Sequence, residues 1–399
     1  MVLEMYPDER RILMTPGPVV FSVDVLRVMA STVYEHTSPD FAVLHGSVIR
    51  GFRVVVGARS NSPVFVIPGS GTLAMEVALL NTVDPRSRVL VVSHGFFGDR
   101  WGEIARANGY DVTVLSSEPG DVVPLDSIVE ELSRSGYGAM LVSHVETSTG
   151  VRADLVKLAS IARRFDVLLV ADGVSSVAAE PLSCSDWGVD VVVTASQKAL
   201  ETPPGLGLIA LCTERAVQAF NENSGRVRGY YARLSSWAKV MEAYERGEVA
   251  YYATPATHLV AALARSLEKI QAEGLERRFK RHRALARALR AGLRAMGLEV
   301  VARSEEIAAN TVTAVYLPEG VSPAEVRKAM MEGNIVIAMP IHPALRGKSI
   351  RIGHMGSVNH NDVIATIALL ERVLKRIGAN IKLGTELRAA QETLYEELL

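Results

Sequence analysis

Cysteine is scarce in this chain of 399 residues: there are two, Cys184 and Cys212. Two thiols cannot build a disulfide framework and are too few for a zinc site made chiefly of thiolates. A reducing, cytosolic setting fits that count. No sign of charge is in excess either, since 43 Lys and Arg stand against 44 Asp and Glu, a formal charge of -1. With 48% hydrophobic and 22% charged residues, this balance excludes a disordered chain and argues against nucleic-acid binding. Long apolar runs are missing as well. The longest, such as 189–193 and 205–212, fall far below the roughly 18 residues that suggest a membrane span. Glu4, Asp8 and Glu9 stand in the first eleven residues, where a secretory signal would carry its basic region, and no apolar run follows, so no such signal is expected.

What the chain does have is rhythm. From Pro63 onward, short β-branched runs alternate with amphipathic stretches, the pattern of a mainly parallel sheet with crossover helices. Strands are predicted at 64–67, 89–93, 112–115, 139–144, 167–171, 189–194 and 206–211. Several are apolar throughout, as expected where both faces are covered. Helices are predicted at 72–82, 99–107, 125–134 and 154–165, with Asp99 and Asp154 as N-caps. Near Thr257 the texture changes to a long helical segment running to Met296. Short strands (298–302, 311–316, 335–338, 349–352) and helices (322–332, 361–376) follow. This predicts an arm at 1–20, a large α/β domain at 21–257 and a smaller α+β domain at 258–399. The basic cluster Arg277, Arg278, Lys280, Arg281, Arg283 and Arg287 reads as a solvated helix face. The tail, 385–399, reads as a short amphipathic helix packed on the body.

Three features carry chemistry. Pro68-Gly69-Ser70-Gly71-Thr72 follows a strand and opens a helix, where free N–H groups and the helix dipole suit a phosphate. The same glycines match a dinucleotide fingerprint, Gly69-x-Gly71-x-x-Ala74, and also a plain tight turn. A dinucleotide site expects an acid at the end of the next strand, yet that strand ends in Ser93-His94-Gly95. Asp172 closes an apolar strand, and Lys198 follows the next one. Both stand at carboxyl ends of parallel strands, where crevices form in open α/β sheets. Taken singly, each is an ordinary cap or surface charge. Together with a phosphate cradle they meet the needs of pyridoxal 5′-phosphate: an anchor, a Schiff-base lysine and an acid for the ring nitrogen.

Ser196-Gln197-Lys198-Ala199-Leu200 with Pro203-Pro204-Gly205, Asp172-Gly173-Val174-Ser175-Ser176, Glu146-Thr147-Ser148-Thr149-Gly150, Pro16-Gly17-Pro18 and Arg351-Ile352-Gly353 resemble the class V aminotransferases of the alanine–glyoxylate and serine–pyruvate type. The resemblance runs from Pro16 to about Gly356, in order. It implies a fold-type I pyridoxal-phosphate enzyme that works as a homodimer with active sites at the subunit interface. It implies Lys198 as Schiff-base lysine and proton shuttle, and Asp172 as partner of the ring nitrogen. Phe97 would stack on one ring face, where many relatives carry Trp, with Val174 on the other. Ser70, Gly71, Thr72 and Gln197 would hold the phosphate. Tyr251 and Thr254 would reach the phosphate of the neighbouring subunit, and Thr147 would lie near the phenolic oxygen. Arg351 would bind the substrate α-carboxylate, beside Gly17. No metal is expected, because His36, His94, His144 and His354 show no ligand spacing and read as satisfied polar neighbours.

The implied activity moves an amino group from serine or alanine to pyruvate or glyoxylate by a ping-pong mechanism. The alternatives are a class V enzyme with another amino donor, a nicotinamide-dependent oxidoreductase, and a silent dimeric binding protein. A desulfurase needs a reactive cysteine on a loop well after the lysine. Cys184 precedes Lys198 and Cys212 falls at a predicted strand, so neither fits.

Overall fold

The computed structural model describes residues 11–31 and 34–398; the acidic start expected at 1–10 lies outside them. Seven strands form the central sheet: β1 (Val64–Pro68), β2 (Arg88–Ser93), β3 (Asp111–Ser116), β4 (Tyr137–Ser143), β5 (Leu168–Asp172), β6 (Val191–Ala195) and β7 (Leu206–Leu211). Their order is β1-β7-β6-β5-β4-β2-β3. Only β7 runs against its neighbours. All seven expected strands are present, with ends shifted by a residue or two. Every residue of β6 and β7 is buried, as their unbroken apolar sequences require under helices on both faces. The edge strand β3 is exposed at both ends and begins and finishes on polar residues.

The covering helices include α1 (Pro39–Val55), α2 (Gly71–Thr82), α3 (Phe96–Ala107) and α4 (Leu155–Arg164). Ser70 caps α2 by accepting the Leu73 N–H at 3.2 Å, and Asp154 caps α4 through Lys157 N–H at 3.1 Å. Asp99 is not a cap. It sits inside α3, which starts three residues earlier than expected, and takes the Ser93 hydroxyl at 2.7 Å. A distant carboxylate, Glu146, supplies the missing cap.

Beyond the sheet come α5 (Leu234–Glu245), α6 (Thr257–Glu273) and α7 (Leu275–Ala295). The C-terminal unit pairs β8 (Val312–Tyr316) antiparallel with β9 (Ser349–Gly353) and adds α8 (Pro323–Glu332), α9 (His360–Ile377) and α10 (Glu386–Leu398). Residues 298–302 do not form the expected strand. Val301 N–H to Ala314 O and Tyr316 N–H to Glu299 O make an isolated bridge rather than a ladder. Ile335–Val336 pairs instead with Ile12–Leu13, so the N-terminal arm joins the C-terminal unit.

Two cores result. Val260, Leu263, Leu267 and Ile270 of α6 belong to the core around the large sheet, whereas Leu285, Leu289 and Leu293 of α7 belong to the second. The change of texture near residue 257 therefore marks the start of α6, and the change of core comes within α7. Helix α10 rests on the second core through Ala390, Leu387 and Leu394. The basic cluster is not simply a solvated face: Arg278 is 3% exposed and paired with Glu201 and Glu273, while Arg283 and Arg287 meet Glu397 of α10.

Cys184 and Cys212 are joined in a buried disulfide, Cα atoms 5.9 Å apart. The sheet brings them together, since Val189 N–H bonds Cys184 O and Cys212 N–H bonds Asp190 O, both at the start of β6. One cross-link is not a framework, but it departs from the reducing setting that the count suggested.

The arm is seated tightly. Gly353 N–H donates to Met14 O at 2.8 Å, and a Cβ on Gly353 would lie 2.2 Å from the Thr15 carbonyl oxygen. Gly353→Ala should therefore displace residues 14–17, cost about 1–3 kcal/mol of stability and speed amide exchange at Met14, as read by denaturation and deuterium exchange. Unchanged exchange at Met14 would contradict this packing.

Candidate active site

Strand ends place the chemistry. Gly71 follows β1, Phe97 follows β2, Glu146 and Thr147 follow β4, Asp172 ends β5 and Lys198 follows β6, all on the carboxyl edge of the parallel strands. The buried strands fix these positions, and the loops beyond them aim the side chains.

Lys198 is 8% exposed. Its Nζ hydrogen-bonds the Pro16 carbonyl oxygen of the arm. Gly17 has φ of +115°, and a Cβ there would come within 2.4 Å of Lys198 Cδ and 2.8 Å of Nζ, so only glycine leaves the lysine room. The lysine loop is stiffened by its own bonds: Ser196 Oγ donates to Pro203 O at 2.7 Å and Thr202 N–H to Ser196 O at 3.0 Å. Burial lowers the Lys198 pKa to about 8, helped by the positive Arg351 and opposed by Asp172. At pH 7 about a tenth of the amine is then free, against about one in three thousand for an ordinary lysine.

Asp172 is 4% exposed. Oδ1 accepts the Val174 N–H at 2.8 Å and Oδ2 the Ser143 hydroxyl at 2.9 Å. Burial pushes its pKa up; those two bonds, then Lys198 and Arg100, pull it back. Val174 also faces the start of α2, where a Cβ on Gly71 would lie 2.8 Å from Val174 Cγ2. Thr147 Oγ1 shares a hydrogen bond with Ser175 at 2.6 Å, and Thr147 O accepts from Arg351 Nη1 at 3.2 Å.

Arg351 on β9 is 7% exposed, and Nε donates to Met339 O at 2.9 Å. Burial lowers its pKa to about 10, while Glu146 raises it. Among the described residues no carboxylate forms an ion pair with this guanidinium. That arrangement suits a bound carboxylate.

Sequence reasoning missed four contributors. Glu146, 0% exposed, accepts the Phe97 and Gly98 N–H groups at 3.0 Å each and the Ser148 hydroxyl at 2.6 Å. Ser148 Oγ in turn accepts the Phe96 N–H at 3.1 Å. The pair caps α3 from another strand and so fixes Phe97, beside which lies the Arg100 guanidinium, 5.2 Å from the ring centre. Ser143 orients Asp172. Arg278, read as surface charge, donates to Ala178 O at 2.7 Å and Ala199 O at 2.8 Å, pinning the loop next to Lys198. Glu146 and Ser148 stand in the motif Glu146-Thr147-Ser148-Thr149-Gly150, which marked the segment but gave neither a role, and no sequence signal marks Ser143 or Arg278.

Of the remaining expected residues, Gln197 has a buried Oε1 without a partner, close in sequence to Lys198, while Ser70 caps α2 and Gly71 and Thr72 begin its first turn. Tyr251 and Thr254 are exposed and 3.4 Å apart, with no hydrogen bond to the groups around Lys198. His354 is satisfied by Thr313 and Asn310, but Nδ1 of His94 and of His144 has no partner, contrary to expectation. Among the described residues no group of three or more His, Cys, Asp or Glu is arranged to hold a metal ion, and no helix is long and apolar enough to cross a membrane.

A mainly parallel seven-stranded sheet with a buried lysine and aspartate at adjacent strand ends is the fold-type I arrangement. Residues 35–355 match the family Aminotransferase class-V, and the chain belongs to that family and is a transaminase. It is 37% identical over 357 residues to alanine–glyoxylate aminotransferase 1 of Saccharomyces cerevisiae, covering 86% of this chain and 91% of that one. It is 32% identical over 400 residues to serine–glyoxylate aminotransferase of Arabidopsis thaliana, covering 99% and 98%. The crystal structure of ureidoglycine–glyoxylate aminotransferase from Bacillus subtilis superposes with a TM-score of 0.88 at 30% identity, covering 98% and 99%. The nicotinamide alternative falls with this membership.

The amine's environment has a measurable consequence. The unfolded chain holds the Lys198 proton up to the ordinary 10.5 and the folded chain only to about 8. Lys198 thus costs stability at neutral pH, and the cost fades as pH rises from about 8 to 10.5. In the ligand-free protein, Lys198→Met should gain up to about 3 kcal/mol at pH 7 and nothing above pH 10.5, measured by urea unfolding. An equal gain at both pH values would mean that burial does not set the amine's pKa.

Proposed function

We propose that this transaminase uses pyridoxal 5′-phosphate to transfer the amino group of a small amino acid, serine or alanine, to glyoxylate or pyruvate. The observation that carries the reading is the buried guanidinium of Arg351, with no carboxylate in ion-pair contact among the described residues, beside the low-pKa amine of Lys198 and the carboxylate of Asp172. The names of the yeast and plant relatives support the choice of substrates. The limits expected at 1–20, 21–257 and 258–399 are moved in this proposal: α6 stays with the large unit and the boundary falls within α7. A cytoplasmic setting is also proposed, although the Cys184–Cys212 bond weighs against a strongly reducing compartment.

The residues fit the cofactor. The first-turn N–H groups at Gly71 and Thr72 and the Ser70 hydroxyl suit a phosphate, and the side-chain NH2 of Gln197 can add a donor. Phe97 and Val174 offer two apolar faces, Thr147 a hydroxyl and Asp172 a carboxylate for a protonated ring nitrogen. When bound, the cofactor supplies a carbonyl that takes up the amino group and a ring that withdraws electrons from Cα. Arg351 then holds the α-carboxylate in a planar, two-pronged grip, and Gly17 leaves space beside it. Lys198, freed as a neutral amine, would take the proton from the substrate Cα and deliver it to the cofactor's former carbonyl carbon, beyond the amino nitrogen, the role of a general base and acid near its own pKa. Asp172 stays ionised because the positive nitrogen offsets its burial.

Adding pyridoxal phosphate to the purified protein should produce a visible absorption band that L-serine or L-alanine bleaches and glyoxylate or pyruvate restores. Lys198→Ala should lose the band and the transfer; retained transfer would refute the role of Lys198. The exposed Tyr251 and Thr254 are proposed to complete the phosphate site of a second copy of the chain. Mixing inactive Lys198→Ala chains with Tyr251→Ala/Thr254→Ala chains should then create hybrid dimers with one intact site. Activity that does not rise above the sum of the two parents would sink the shared-site arrangement.

A further inference from the structure

Next to the segment after β4 that carries Glu146 and Thr147 lies a cavity of 490 Å3 walled by Val92, Ile128, Leu155, Leu158, Trp187 and Ile307. Two histidines line it, His94 and His144, each 3% exposed. Nδ1 of neither ring has a hydrogen-bond partner. Burial keeps both imidazoles neutral, with pKa values of about 4 for His94 and about 3 for His144. Each Nδ1 is shielded; the other ring nitrogen, Nε2, is the one that a molecule in the cavity can reach, and a neutral imidazole nitrogen there can accept or donate one hydrogen bond.

The charges at the rim are already matched. Lys157 is 3.0 Å from Asp154. Arg152 lies 3.5 Å from Glu180 and donates to the Glu306 carbonyl at 3.2 Å. No cation is therefore left to draw an anion into the cavity. Size, apolar walls and a few polar groups are the make-up of a small-molecule site.

We infer that this cavity is a second binding site, apart from the Lys198 cleft, for an uncharged and largely apolar molecule that presents one O–H or N–H group to His94 or His144. A phenol or aromatic alcohol is the simplest such chemistry: its ring lies among the aliphatic walls beside Trp187, and its hydroxyl meets a neutral imidazole. The site shares main chain with the catalytic cleft. His144 N–H donates to Asp172 O at 2.9 Å, His94 O accepts from Thr149 at 3.2 Å, and Phe97 follows three residues after His94.

The test is isothermal titration of the full-length protein with 2-naphthol and, separately, with 2-naphthoate. One equivalent of 2-naphthol should bind, and 2-naphthoate at least tenfold more weakly. Val156 lines the mouth and is 49% exposed, so Val156→Phe should fold and transaminate as the parent does yet bind 2-naphthol at least tenfold more weakly. Saturation with pyridoxal phosphate and glyoxylate should not displace the probe. Several results would overturn the inference: no binding up to the solubility limit, which would mean a void filled by water; equal affinity for the naphthoate; an unaffected Val156→Phe variant; or displacement by glyoxylate.

Discussion

Four ionisable side chains share a cleft largely closed to solvent, and the site depends on their balance. Lys198, Arg351, Asp172 and Glu146 are each less than a tenth exposed. Burial drives every one of them toward its neutral form, so that the two bases titrate lower and the two acids higher than usual. A charge stranded alone in such a place would cost about 3–5 kcal/mol. Opposite neighbours prevent that: Asp172 supports the charge on Lys198, and Glu146 supports that on Arg351. The balance is incomplete by design of the fold. Arg351 has no direct carboxylate partner, and Lys198 leans on a neutral carbonyl, which leaves one position open for an anion and one amine ready to lose its proton.

The backbone completes what the charges begin. Glu146 survives burial because two N–H groups of α3, together with the N–H and hydroxyl of Ser148, point at its oxygens. Positive helix N-termini favour anions, so the same contacts that stabilise the carboxylate fix the first turn of α3 and with it Phe97. One side chain thus links the aromatic face of the site to the electrostatics of Arg351. Glu146 and Arg351 come from parts of the chain about two hundred residues apart, and only the closed fold brings them together.

That separation explains what could be read from sequence and what could not. The strands were legible because β6 and β7 are apolar on both faces, and the cleft because Asp172 and Lys198 sit where such strands end. Local signals also gave Asp154 as a cap. They failed for Asp99, since the cap of α3 is supplied by Glu146, 50 residues after Phe96. Arg278 looked like one of several surface arginines, because its burial depends on the carbonyls of Ala178 and Ala199, far away in the chain. The strand expected at 298–302 had suitable residues, but its partner β8 gives it only two hydrogen bonds, and the arm takes the pairing at 335–336 instead. Neither the unmatched imidazoles of His94 and His144 nor the Cys184–Cys212 bond has any local signature.

Helix α7 shows how the two cores are kept in register. Arg278 holds the lysine loop through Ala199 O and Glu201, while Arg281, one turn on, donates to Gly356 O and Val358 O just past β9. His282 receives the Gly356 N–H at 3.0 Å. One rigid helix therefore grips both the loop of Lys198 and the end of the strand that carries Arg351, which sets the relation between the amine and the guanidinium. That relation has a chemical consequence. The positive charge of Arg351 helps to lower the pKa of Lys198, so a carboxylate that binds Arg351 cancels the effect and makes the amine more basic. In the proposed reaction, a substrate carboxylate at Arg351 would thus favour proton uptake by Lys198 through electrostatics.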